Sequence, residues 1–197
     1  MNKMAITRPT SKQPIPPTAK RVFKGVMFEV YQWEQEMFDG TKATFEKLKR
    51  PDTVVVFPVL PDGRIILTEQ EQPGKGPFIA ATGGRVDEGE EVLAAAQREL
   101  REESGYEADE FILWQAEHPA SKIDWVIYTF IAKGLRKVAD QELDAGEIIK
   151  LKLVSFDELL ALAADEKFSE TQVTIKILET KLDPKKMLEL RQLFNAT

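Results

Sequence analysis

Residues 84–106 read GRVDEGEEVLAAAQRELREESGY. From Glu90 to Ser104 the residues suit a helix, and Gly105 stands where a left-handed C-terminal cap belongs. Each helical residue advances about 100°, so Glu99, Glu102 and Glu103 share one stripe of three carboxylates. Leu93, Ala96 and Leu100 form an apolar stripe beside it that can dock on a sheet. Arg98 stands four residues before Glu102 and can reach it. A solvated charged face would carry similar residues, since such pairs contribute only about a few tenths of a kcal/mol. It would leave three mutually repelling glutamates beside a buried face unexplained. A hard cation such as Mg²⁺ takes carboxylate oxygens and removes the repulsion.

Upstream, Thr53–Leu60 (TVVVFPVL) reads as a buried strand, turned by Pro61-Asp62-Gly63 into a second strand, Arg64–Glu69. A loop with Pro73, Gly74, Gly76 and Pro77 leads to a short strand, Phe78–Ala81, which Gly83-Gly84 is expected to break. Earlier still, Arg21–Lys49 is rich in β-branched and aromatic residues around the hairpin signal Asp39-Gly40. Residues 1–18, with four prolines, read as a flexible or extended lead-in. Downstream, Phe111–Trp114, Trp125–Ala132 and Ile148–Val154 read as strands. Helices are expected over Phe156–Ala164, Glu170–Thr180 and Pro184–Phe194. This order predicts one α/β domain over residues 19–197, with a central mixed sheet covered by helices and antiparallel strands at 19–50.

The chain has 197 residues, enough for a single core, and a net charge of −6. That charge argues against a general nucleic-acid binder, which needs basic surface to displace counterions. It leaves a nucleotide substrate open, because bound metal inverts the local charge of an acidic site. No cysteine is present, so disulfides, thiolate zinc sites and cysteine nucleophiles are excluded. Neither a bilayer-spanning run nor a signal-like apolar core is visible, and the expectation is a cytoplasmic protein with no membrane partner.

The spacing G-x5-E-x7-R-E-U-x-E-E-x-G-U, carried by Gly84, Glu90, Arg98, Glu99, Leu100, Glu102, Glu103, Gly105 and Tyr106, resembles the Nudix box. Tyr106 is the one departure, standing where the family usually has an aliphatic residue. Seven identities at average residue frequencies should arise by chance roughly once in several million such chains. The resemblance implies a Nudix-type α/β/α sandwich and hydrolysis of a phosphate–phosphate bond in a nucleoside diphosphate derivative. It implies Mg²⁺ or Mn²⁺ bound by Glu99, Glu102 and Glu103 with the Gly83 carbonyl. Arg98 would then orient a glutamate and Glu90 would brace the loop. Such metals polarise phosphoryl oxygens and lower the pKa of bound water.

In the subgroup that cleaves ADP-ribose and nucleotide sugars, a glutamate before the last strand completes metal binding or acts as general base. Glu147 is placed similarly, with Asp144 the alternative. The same subgroup implies that residues 19–50 build a homodimer. Two departures bear on substrate. Glu69-Gln70-Glu71-Gln72 stands where the subgroup has Glu-Gln-x-Arg, so Gln72 replaces a phosphate-gripping arginine. Ile79-Ala80-Ala81-Thr82-Gly83-Gly84 stands for Glu-x-Pro-Ala-Gly-Gly. Gln72, Arg85 and Trp125 are the candidate substrate contacts, ADP-ribose or a related nucleotide sugar the candidate substrate. Triphosphates, dinucleotides and a silent nucleotide-sensing role are the alternatives. His118, the single histidine, is read as structural, and Gly74-Lys75-Gly76 lacks the spacing of a phosphate loop.

Overall fold

The computed structural model describes residues 6–143, 145–146 and 148–195. At its centre β4 (Thr53–Pro58) runs parallel to β11 (Ile127–Lys133), with β7 (Thr82–Arg85) and β9 (Glu110–Glu117) antiparallel on the two outer edges. The apolar run 54–57 is uninterrupted because both faces of this sheet are covered. Val54 and Val56 pack on one side with Ala95, Ala96 and Leu100 of α1 (Val92–Ser104). Val55 and Phe57 face the other side, against Leu159 of α2 (Phe156–Leu162), Ile177 of α3 (Thr171–Lys181) and Leu190 of α4 (Pro184–Leu193). A second sheet, β13 (Ile148–Val154), β5 (Ile65–Gln72) and β6 (Lys75–Ala80), contributes Ile65, Leu67 and Val154 to that second core. The fold is α/β with mixed sheets, as the sequence predicts.

The N-terminal strands form as expected: β1 (Lys20–Lys24), β2 (Glu29–Glu36) and β3 (Lys42–Lys49) pair antiparallel. The Asp39-Gly40 turn closes β2 on β3, with the Thr41 N–H and hydroxyl both donating to the Asp39 carboxylate. β10 (Ile123–Asp124) joins β3 in parallel, fastening this sheet to the main body. Residues 6–18 lack regular secondary structure yet are tied at several points. Ile6 packs on the α1-side core. Arg8 bonds Asp52 at 2.8 and 3.0 Å and Asp124 at 3.0 Å. Lys47, 1% exposed, donates to Ser11 and to the Gln13 carbonyl. His118 donates through Nε2 to the Pro9 carbonyl at 3.1 Å, a structural bond.

Several boundaries differ from the sequence reading, each for a local reason. The expected loop at 73–77 is a tight hairpin, with Gln72 paired to Lys75 and Gly74 at φ +79°. Trp125 falls between β10 and β11 rather than inside a strand, because its indole N–H turns back to the Thr53 hydroxyl at 2.9 Å. Glu90 precedes α1 instead of opening it; its carboxylate accepts from the Asp87 N–H. Three short strands were not legible: β10, and β8 (Tyr106–Glu107) and β12 (Arg136–Lys137), which pair with each other beside the end of α1. No described helix is long and apolar enough to cross a membrane.

Candidate active site

Gly83 and Gly84 do not break a strand; they are its centre. β7 borders the central sheet, and α1 lies against it. A Cβ on Gly83, at φ +154°, would sit 2.2 Å from the Val54 carbonyl oxygen. One on Gly84 would sit 2.4 Å from the Glu99 carboxylate. Two bare backbones therefore let the acidic stripe of α1 reach the sheet edge. The Gly83 N–H donates to Glu103 Oε2 at 2.9 Å. In an extended strand the N–H and C=O of one residue point the same way, so the Gly83 carbonyl also faces outward from β4.

Glu103 is buried, 7% exposed. Arg98 organises its neighbours. It grips Glu90 with two bonds of 2.9 and 3.0 Å and the Arg85 carbonyl at 3.0 Å. Its remaining nitrogen donates to Glu99 at 2.8 Å and Glu102 at 3.0 Å. The Arg98 bond holds the Glu90 carboxyl below the usual carboxylate range. Those same bonds, the Glu90 one foremost, raise the guanidinium further above its ordinary value. This pairing offsets part of the negative charge of the stripe and fixes the loop between β7 and α1.

A cleft of about 570 Å³ opens over these groups, with Glu99, Glu102 and Glu103 on one wall. Arg85 lines it, paired loosely with Asp87 at 3.3 Å. Met27, Thr53 and Arg50 line it as well. The Arg50 guanidinium lies 4.3 Å from the Trp125 ring and 5.8 Å from Phe28, and burial lowers its pKa. Its buried Nε has no hydrogen-bond partner among the described residues. Of the sequence-predicted contacts, Arg85 is in the cleft; Trp125 backs Arg50 without being part of the lining, and Gln72 sits at the β5–β6 hairpin, outside it. Asp144 and Glu147 lie outside the described residues.

Sequence reasoning missed the clamp on the end of α1. The carbonyls of Glu102, Glu103, Ser104 and Gly105 are met by Glu142 N–H, the Gln141 amide, Lys137 Nζ and the Val138 and Ala139 N–H groups. Gln141 also reaches the Ile149 carbonyl at 3.4 Å, joining α1 to β13. Long-range capping of this kind leaves no periodic trace in sequence. Glu142 and Leu143 line the cleft as a result.

Among the described residues no three acidic or histidine side chains are already grouped to hold an ion. Arg98 holds Glu99 and Glu102 instead. The donor chemistry nevertheless fits a hard divalent cation, being carboxylate oxygens with a backbone carbonyl beside them in an open cleft. Arg98 has anchors besides those two acids, in Glu90 and the Arg85 carbonyl.

The NUDIX domain profile matches residues 49–174, from the end of β3 into α3. Among curated proteins, the chain is 27% identical to the ADP-ribose pyrophosphatase of Bacillus subtilis (strain 168) over 167 residues, 82% of this chain and 90% of that protein. It is 26% identical to the methanol dehydrogenase activator of Bacillus methanolicus over 162 residues, 80% and 87% of the two chains. A solved structure described as an ADP compounds hydrolase superposes with a TM-score of 0.68 at 21% identity, covering 93% of this chain and 98% of that one. With more than half of its length matched by the family profile, this chain belongs to the NUDIX domain family and is a Nudix hydrolase.

Proposed function

We propose that the enzyme hydrolyses the phosphate–phosphate bond of a nucleoside diphosphate sugar, ADP-ribose first, giving a nucleoside monophosphate and a sugar phosphate. The observation that carries this reading is that one cleft is lined both by Glu99, Glu102 and Glu103 and by Arg50, whose guanidinium stacks on Trp125. A diphosphate spanning the cleft would meet both. The names of relatives that act on ADP-ribose and ADP compounds support the substrate class.

Glu99, Glu102, Glu103 and the Gly83 carbonyl would hold Mg²⁺ or Mn²⁺. When bound, such ions polarise phosphoryl oxygens, offset transition-state charge and activate water. Arg98, fixed by Glu90, keeps Glu99 and Glu102 in register. Arg50 and Arg85 supply the positive charge that Gln72, in place of arginine, does not. A charge-assisted phosphate contact is worth about 1.5–3 kcal/mol, so a chain without one would bind ADP-ribose roughly ten- to a hundredfold more weakly. Stacking on Trp125 pre-orients Arg50 at little entropic cost. Glu147 is assigned as general base, with Asp144 second.

The enzyme should be incubated with Mg²⁺ and ADP-ribose, GDP-mannose, UDP-glucose, NADH or nucleoside triphosphates, and the products separated by chromatography. AMP and ribose 5-phosphate should form fastest. Pyrophosphate release from a triphosphate at much higher kcat/KM would overturn the substrate assignment.

The same reading makes residues 19–50 a dimer element. β1 is exposed along its whole length, and Val22 and Phe23 are 53% and 57% exposed. Burying such a face in a second copy recovers hydrophobic stabilisation. Light scattering at micromolar concentration should return about twice 22.3 kDa; a particle of 22.3 kDa removes the dimer.

A further inference from the structure

Ala81 belongs to neither flanking strand; it is the residue at which the chain leaves β6 in one sheet and enters β7 in the other. Its N–H has no strand partner and donates instead to Glu170 Oε1 at 3.2 Å. Glu170 immediately precedes α3 and is 89 residues away in sequence. The chain before it is fixed on β6, since Ile79 N–H donates to the Lys167 carbonyl and Ser169 N–H to the Ile79 carbonyl, both at 2.8 Å. Two residues after Ala81, the Gly83 N–H donates to Glu103. One short stretch is thus held by two carboxylates from two different helical regions, Glu170 before α3 and Glu103 of α1.

We propose that Glu170 is a positioning residue of the active site: by capturing the Ala81 N–H it fixes the Ala81–Gly83 segment and thereby the aim of the Gly83 carbonyl toward the metal position. This rests on the metal assignment proposed above. Ala81 stands where the subgroup's motif has proline, which has no N–H to offer, so the contact is a property of this chain. Glu170 is partly buried, and withdrawing a carboxyl from water is costly without a partner. Burial pushes its pKa up to about 7, with Lys75 the nearby opposing charge. A carboxyl kept there at such cost, on a backbone N–H rather than on an ion pair, fits a geometric task better than a charge task. Either protonation state leaves an oxygen that accepts the N–H.

Mn²⁺ binding to the full-length protein, read by electron paramagnetic resonance without substrate, tests the assignment, with thermal stability measured alongside. Glu170→Ala should weaken Mn²⁺ binding about tenfold, the scale of losing a group that orients a metal ligand. Glu170→Gln keeps an oxygen acceptor for the same N–H and should bind Mn²⁺ within about twofold of wild type. Glu170→Asp, which keeps the charge but draws the oxygen back by one methylene, should behave like the alanine variant and serves if that variant does not fold. Unchanged Mn²⁺ affinity in the alanine or aspartate variant would overturn the proposal, leaving Glu170 a fastening of α3. Equal loss in the glutamine and alanine variants would overturn it as well, because charge rather than N–H capture would then matter. If wild type shows no Mn²⁺ site that Glu103→Gln removes, the metal assignment itself fails and this inference falls with it.

Discussion

Glu103→Gln should fold and lose at least about a hundredfold in kcat, the scale of removing one preorganised electrostatic contact. Glutamine is nearly isosteric, and its amide oxygen can still accept from the Gly83 N–H that Glu103 Oε2 holds at 2.9 Å. Burial at 7% exposure makes a polar partner necessary at this position, which alanine would lack and glutamine supplies. The substitution therefore removes charge while keeping the link between α1 and β7. Melting by circular dichroism should show little change, and steady-state assays over a range of Mg²⁺ should show the loss at every concentration. Turnover near that of wild type would remove Glu103 from the metal site.

Gly83→Ala is expected to damage stability instead. The added Cβ would meet a backbone oxygen, that of Val54, at 2.2 Å and the Val55 Cα at 3.0 Å. Neither can rotate away as a flexible side chain would, so β7 must shift from β4 or the chain must strain. Overpacking costs about 1–3 kcal/mol, and an L-residue forced to a sparsely populated φ costs about 1–3 kcal/mol more. At about 2–4 °C per kcal/mol for a domain of this size, Tm should fall by roughly 10 °C. Calorimetry showing a Tm within about 2 °C of wild type would mean the edge strand is more pliable than its packing indicates.

What the sequence disclosed and what it withheld divide along physical lines. The α1 helix, its Gly105 cap at φ +71° and the acidic stripe were legible because each is set by residues within a few turns. The strand 148–154 was read with its observed ends, but not with its observed faces: Ile149 and Val154 are buried, whereas Ile148, Leu151 and Leu153 are exposed. Gly83-Gly84 was misread because glycine signals a turn and a close approach with the same letter; only the partner across β4 decides which. Gln72 was proposed from alignment with a motif, and its place on a hairpin outside the cleft depends on the β5–β6 register. The stack of Arg50 on Trp125, the Arg8 links to Asp52 and Asp124, and Glu170 on Ala81 join residues 75, 44, 116 and 89 positions apart. No local pattern encodes contacts at such separations.

The clamp on α1 has a consequence for how the molecule opens. Glu102 and Glu103 offer side chains to the cleft and main-chain oxygens to residues 141 and 142. Peeling that segment away would strand several carbonyls at once, so the helix end and the segment must unfasten together as one cooperative unit. Breathing near Glu102 and Glu103 is therefore expected to be all-or-none rather than gradual. Amide exchange over 137–142 should then report on the last turn of α1 with a single opening free energy.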